Sequence, residues 1–407
     1  MSFSVPVKDM LFAMEHLANL DQVAQIPGFE DANLETAQAV LEECAKLCEG
    51  VIEPLNIAGD MHPSSLKDGV VTTTAGFKEA FAQFAEGGWQ GLQHPVDFGG
   101  QGLPKTIGAA CLEMLNSANL SFALCPLLTD GAIEALLMAG SDELKAIYLE
   151  KLISGQWTGT MNLTEPQAGS DLSLVRTKAE PLPDGSYKIF GTKIFITYGE
   201  HDMAENIVHL VLARVAGAPE GVKGISLFVV PKFLVNNDGS LGARNDAHCV
   251  SIEHKMGIKA SPTAVLQFGD HGGAIGYLVG EENRGLEYMF IMMNAARYGV
   301  GVQGIAVAER ERVFDPFYRT LGSEQTGSGL GLCIVQAIAQ RLGAQVRLAF
   351  SDEAAQSGLC VAVFMALAPP PPGDRARMAR HASGLAVQGF SAALTASATG
   401  AGCSGPA

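Results

Sequence analysis

The sequence predicts an α+β multidomain protein. An N-terminal all-α domain covers residues 1–155, a central β barrel or sandwich 156–272, and the start of a C-terminal helical bundle 273–310; a small α/β fragment (311–368) and a disordered tail (369–407) follow. Three observations carry this. Apolar residues recur at helical spacing up to residue 155, the period then drops to two until about 270, and a helical pattern returns at Gly285. Helix, sheet and helix in that order give an α domain and a β domain facing a third, helical layer.

The elements follow in chain order. Leu34 to Ile52 has helical spacing with few breakers, and Asn33 is placed to cap it. Phe77 to Trp89 is amphipathic and is closed by Gly87 and Gly88. Ile107–Leu120, Thr129–Ala139 and Glu143–Ile153 read as three further helices, and Pro95 to Leu103 as a Gly-rich loop. Strands are expected at Tyr187–Thr197, Ile207–Arg214, Gly224–Pro231, Val250–His254 and Thr263–Phe268. After the helix from Gly285, a Gly-rich turn opens a helix at Leu330–Leu342. From Ala368 the chain turns to Pro, Ala, Ser, Gly and Thr, a composition too poor in apolar residues for a core.

Composition removes several functions. The net charge of −16 argues against nucleic acid, which demands concentrated Lys and Arg. The eight cysteines form no CxxC pair and no Cys/His cluster with zinc spacing, so no metal is expected and the thiols read as reduced and buried. The N-terminus lacks a secretory pattern and no run of 18 apolar residues exists, so neither export nor a membrane span is expected and the location reads as cytoplasmic.

Two segments carry chemistry. Met161-Asn-Leu-Thr-Glu-Pro-Gln-Ala-Gly-Ser-Asp171 is a polar turn, and Phe195-Ile-Thr197 ends a strand. An aromatic ring beside a hydroxyl, with a turn of N–H groups and hydroxyls upstream, suits a flat ring that needs one apolar face and donors at its polar edge. A flavin is such a ring, and donors at its N1–C2=O edge favour its reduced form.

These residues resemble the acyl-CoA dehydrogenase family, as do His254–Phe268 and Asn294–Arg310; the resemblance covers about 310 residues and looks most similar to the branch acting on methylthiopropanoyl-CoA. It implies an FAD cofactor, an acyl-CoA substrate, an electron-transfer flavoprotein as acceptor and a homo-oligomer. Carried over, Met161, Leu163 and Thr164 line the flavin, Gly169 and Ser170 hold its pyrophosphate, and Phe195 covers one ring face. Thr197 bonds near N5. Ser170, Asn294 and Arg297 meet the substrate.

The chain then departs from the pattern. The reaction needs a carboxylate at the substrate α-carbon in a dry pocket. In most of the family that base is a Glu in a late Tyr-Glu-Gly turn, which does not occur here; Glu49-Gly50, Glu86-Gly87 and Glu220-Gly221 all lie upstream. The position a minority branch uses is Ala296, so no catalytic base is assigned, and the Arg-x-x-Phe-Gly segment that clamps FAD adenosine across a subunit contact is absent. Instead, Val313–Arg319 and Gly327–Leu332 resemble the end of a sensor histidine kinase ATPase domain, without its adenine-reading Asp or its Asn-bearing helix. A frameshift, a chimeric gene or a genomic fusion would each give this order. Three functions stay open: an impaired FAD-dependent dehydrogenase, an ATP-binding signalling module, and a non-catalytic flavin or acyl-CoA binding protein.

Overall fold

A computed structural model describes residues 3–311 and the strands 345–349 and 360–364. The kinase-like segments, the helix expected at Leu330–Leu342 and the tail expected from 369 lie outside the described residues. Two compact units divide at Arg310/Glu311. In the second, the described strands pair antiparallel, Gln345 with Phe364 through Ala349 with Cys360.

The first unit opens with helices α1 (Val7–His16), α2 (Leu20–Val23), α3 (Leu34–Leu47) and α4 (Pro54–Met61), the last two joined by a π turn at Cys48–Ile52. Asn33 caps α3 as expected, its side chain accepting from the Thr36 N–H at 2.9 Å. Strands β1 (Ser65–Lys67) and β2 (Val70–Thr72) form a short antiparallel ribbon, so the N-terminal region is not purely helical. Period-two signal cannot be read over three residues, which is why the ribbon escapes the sequence.

Helix α5 (Phe77–Glu86) buries Phe77, Phe81 and Phe84 against Phe122 of α6 (Lys105–Ala139), with ring centroids 5.8–6.2 Å apart. The sequence divided α6 into two helices with a gap at 121–128; the break falls at Asn119 instead. There the backbone leaves helical geometry (φ −157°, ψ 94°) and the Asn119 side chain accepts from the Phe122 N–H at 3.1 Å. It starts a new helical run as an N-cap does. Helix α6 is long and apolar enough to cross a bilayer, yet 67% of its most apolar stretch is buried inside the protein, as in a core helix. Helix α7 (Asp142–Ile153), capped by Ser141, leads into the sheet.

The β domain comprises β3 (Trp157–Asn162), β4 (Lys178–Pro181), β5 (Tyr187–Thr197), β6 (Asn206–Val215), β7 (Ser226–Pro231), β8 (Phe233–Val235), β9 (Leu241–Arg244), β10 (Ala247–Ile252), β11 (Thr263–Phe268) and β12 (Ala274–Val279). Its pairings close a ring, β4–β5–β12–β7–β6 and back to β4. The expected barrel is this ring, extended by β11 and β10 on one side and by β3, parallel to β6, on the other. Strand β12 lies beyond the boundary drawn at residue 272 and is hydrogen-bonded into the ring. Closure pairs the edges within the ring, which satisfies its backbone groups and guards against stray pairing.

Helix α8 (Gly285–Glu311) follows; Met289 and Met292 are buried on one side, while Phe290, Tyr298, Val300 and Ile305 are exposed. Five described cysteines, Cys44, Cys48, Cys111, Cys125 and Cys249, are buried free thiols.

Candidate functional site

The site is built around a fault in β5. Opposite β11, Ala264 pairs with Ile196 and Leu266 with Lys193, so Ile194 and Phe195 face Val265 alone. This is a β-bulge, a device that re-aims side chains near functional sites. Phe195 takes the bulge in a left-handed conformation (φ 61°) and is 57% exposed. A non-glycine residue there stores strain, and a large exposed ring gains nothing from burial to offset it. Ile194, set aside from the ladder, donates its N–H to Thr164 O at 2.9 Å.

That bond docks the polar turn against β5. Within the turn, Glu165 and Ala168 exchange N–H···O bonds of 3.0 Å, returning the chain so that a Cβ on Gly169 would lie 3.9 Å from Thr164 Cγ2. A buried cation fastens the turn from beneath: Lys193 Nζ donates to Leu163 O at 3.0 Å and to Glu165 Oε1 at 2.8 Å. Both side chains are almost wholly buried. Glu165 also accepts from the Arg176 N–H, the Thr177 N–H and the Thr177 hydroxyl at 2.6–3.1 Å. Burial works to raise the Glu165 carboxyl, but the Lys193 charge and these donors hold it below its ordinary value. Burial pushes the Lys193 ammonium down to about 8 against the pull of Glu165.

The residues named from the sequence fall into two groups. Met161, next to last in β3, is half-buried, with Leu163, among the core side chains under α6 and α7. Thr164 and Thr197 are half-buried, Gly169 and Ser170 exposed, and the hydroxyls of Thr164, Ser170 and Thr197 take no partner among the described residues. Open hydroxyls beside an exposed, strained ring fit the donor edge and apolar face that a flavin requires.

Asn294 and Arg297 belong to the second group, on α8. Arg297 donates to Asn294 Oδ1 at 2.7 Å and lies 6.0 Å from the Phe290 ring centroid. Asn294 and Ala295 line a cavity of about 320 Å³ between α6 and α8. Ala296, half-buried, presents only a methyl group. The cavity wall holds polar groups the sequence did not single out. His94 Nε2 lies 2.9 Å from Asp130 Oδ1, which also accepts from Gln90 at 2.6 Å, and Lys105 pairs with Glu134 at 3.2 Å. No spacing signal links positions 94 and 130; only the crossing of a loop and a helix brings them together.

Residues 34–156 match the family profile "Acyl-CoA dehydrogenase, N-terminal domain", and residues 160–271 match "Acyl-CoA dehydrogenase, middle domain". Residues 301–369 match "Histidine kinase-, DNA gyrase B-, and HSP90-like ATPase". The chain is 57% identical over 310 residues to 3-methylmercaptopropionyl-CoA dehydrogenase of Ruegeria pomeroyi, covering 76% of this chain and 52% of that protein. It is 38% identical over 305 residues to a butyryl-CoA dehydrogenase of Syntrophomonas wolfei, covering 72% and 50%. It thus spans about half the length of the curated relatives it matches. Among solved structures, the acyl-CoA dehydrogenase complexed with FAD from Bacillus anthracis aligns with a TM-score of 0.56 at 25% identity, over 68% of this chain and 42% of that one. Butyryl-CoA dehydrogenase of Megasphaera elsdenii, at 23% identity and a TM-score of 0.56 over 75% and 74% of the two chains, shares the fold. With both domain profiles matched in order over residues 34–271, the chain belongs to the acyl-CoA dehydrogenase family.

Proposed function

We propose that residues 1–310 form the flavin- and acyl-CoA-binding part of an FAD-dependent acyl-CoA dehydrogenase, and that the base for α-proton removal is missing from this chain. The observation that carries the reading is the bulge at Ile194–Phe195: it presents Phe195 to solvent and docks Thr164 against the strand that ends at Thr197. Phe195 would lie on one face of the flavin, while Thr164, Thr197 and Ser170 supply donors along its polar edge and phosphates; Met161 and Leu163 back the turn from the core. When bound, FAD accepts the β-hydrogen of the acyl thioester. Arg297, held by Asn294, offers a cation for the thioester or for CoA phosphate. The matched relatives support an acyl-CoA substrate, and an electron-transfer flavoprotein is the expected acceptor. Ala296 has no group to take a proton, and residues 311–407 hold no Tyr-Glu-Gly turn.

The test separates binding from chemistry. The purified chain is reconstituted with FAD and titrated anaerobically with a short acyl-CoA, following oxidised-flavin absorbance. Flavin should bind, and Thr164→Val with Thr197→Val should weaken that binding. Bleaching should run about 10²–10⁴-fold slower than in an intact relative, the usual contribution of a general base. Bleaching at the relative's rate would show that another carboxylate reaches the α-carbon, and failure of FAD to bind at all would remove the flavin site.

A further inference from the structure

At the far end of β11 from Thr263, the partner of Thr197, three side chains converge on the edge of the sheet. They are Asp246, immediately before β10; His248, on β10 and opposite Gln267; and His271, three residues past β11. Five residue steps along the strand put this cluster roughly 17 Å from the Thr263–Thr197 pair, clear of the candidate flavin site.

Both imidazoles address one oxygen. His248 Nε2 lies 3.2 Å and His271 Nδ1 3.1 Å from Asp246 Oδ1, and the two rings stand at 82° with centroids 5.3 Å apart. One atom of each residue can therefore be chosen so that all three lie within 4.8 Å of one another. The carboxylate is held in place from behind, because its Oδ2 accepts from the backbone N–H of His271 at 2.7 Å and of Gly273 at 3.1 Å. The Asp246 carbonyl also accepts from the Gly269 N–H at 2.8 Å, pinning the loop that carries His271. Hydrogen bonds behind a ligand oxygen fix its direction, as outer-shell partners do at metal centres. Arg244, two residues before Asp246, is committed to Glu200 and the Ala247 carbonyl and lies 5.4 Å from the Phe233 ring centroid.

We propose that Asp246, His248 and His271 form a binding site for a divalent transition metal of the zinc class. Two imidazole nitrogens and one carboxylate oxygen are a borderline N/O donor set, which suits Zn²⁺ and disfavours Ca²⁺ or Mg²⁺, ions that require mostly oxygen. Coordination replaces the two N–H···O contacts with two N–metal bonds and one O–metal bond, the imidazoles binding in their neutral form. His271 is 76% exposed and Asp246 12%, so water completes the shell on the solvent side while the protein side stays fixed. The ion would clip the 269–273 loop to the edge strand β10.

The full-length chain, reduced and freed of metal, is titrated with Zn²⁺ alone by calorimetry and with Co²⁺ alone by visible absorption. One saturable equivalent with an N/O-type Co²⁺ spectrum is expected. His271→Ala should weaken it at least about tenfold and His248→Ala with His271→Ala should abolish it. His271 is exposed and outside any strand, so its removal leaves packing intact; circular dichroism checks this, and Asp246→Asn, of nearly the same shape, gives a second reading. Unchanged affinity in the double histidine variant, a thiolate charge-transfer band, or no saturable binding to the parent chain would overturn the proposal.

Discussion

Lys193 shows at the scale of one residue what holds the candidate site in shape. Its ammonium is the only described contact that ties the Leu163 carbonyl and the Glu165 carboxylate to β5 together. Removing one member of a buried pair strands the other charge, at a cost of about 3–5 kcal/mol, whereas replacing both by apolar groups is often near neutral. Lys193→Met and Glu165→Leu should each destabilise by about that amount, and the double variant by much less; urea unfolding of the four proteins gives the cycle. Additive losses would show that the turn does not depend on this pair. The sequence placed Thr164, Ser170, Phe195 and Thr197 in the site through motif resemblance, but nothing marked Lys193. A lysine between Thr192 and Ile194 looks solvated until its neighbours are known, because period-two alternation does not say which face a bulged strand turns inward.

At the scale of elements, helix boundaries with caps were legible and the strand partners were not. Asn33 announces its helix through local chemistry; Ser141, which caps α7, has the same chemistry but is not singled out in the sequence, and the expected start at Glu143 falls one residue late. Strand β3 is not among the expected strands, because its Trp-Thr-Gly-Thr-Met-Asn sequence lacks clear alternation; it is buried nearly throughout, parallel to β6 and beneath α6. Gly159 explains how a helix packs so close: a Cβ there would stand 2.4 Å from Ala132 Cβ, far inside contact distance. Gly159→Ala should therefore force α6 away from β3 and cost about 1–3 kcal/mol, the usual penalty of overpacking. Equilibrium unfolding followed by Trp157 fluorescence measures it, and a neutral result would mean that α6 slides freely on the sheet. The break in α6 falls at Asn119 rather than in the expected gap at 121–128: Asn119 is fully buried, and its side chain accepts from the Phe122 N–H and donates to the Ile52 carbonyl, contacts that no local spacing announces.

The whole molecule carries an acid sensitivity in its barrel. His201 bonds to Thr158 at 2.9 Å and accepts from the Met203 N–H at 3.1 Å, and His209 lies 2.8 Å from Thr160. Burial, with the nearby Lys232 charge, pushes both imidazoles down to about 3 from an ordinary 6.5. Above 6.5 they are neutral in folded and unfolded chains alike, and their contribution is complete. Below 6.5 the unfolded chain takes up protons that the folded one refuses until about 3, so stability falls with pH by about 1.4 kcal/mol per unit for each histidine. Urea midpoints should drop between pH 7 and 5, and His209→Gln should halve the slope. A flat profile would mean that both imidazoles find partners for their charge on protonation.

Ring closure also has a consequence in time. Strand β12, the last of the five ring strands, ends at Val279, so every partner the barrel needs has left the ribosome while the final third of the chain is still being made. Domains close as units during synthesis. The joining of β5 to β12, about ninety residues apart, is the slow and late event. The ring pairings of the barrel therefore need nothing that is translated after α8.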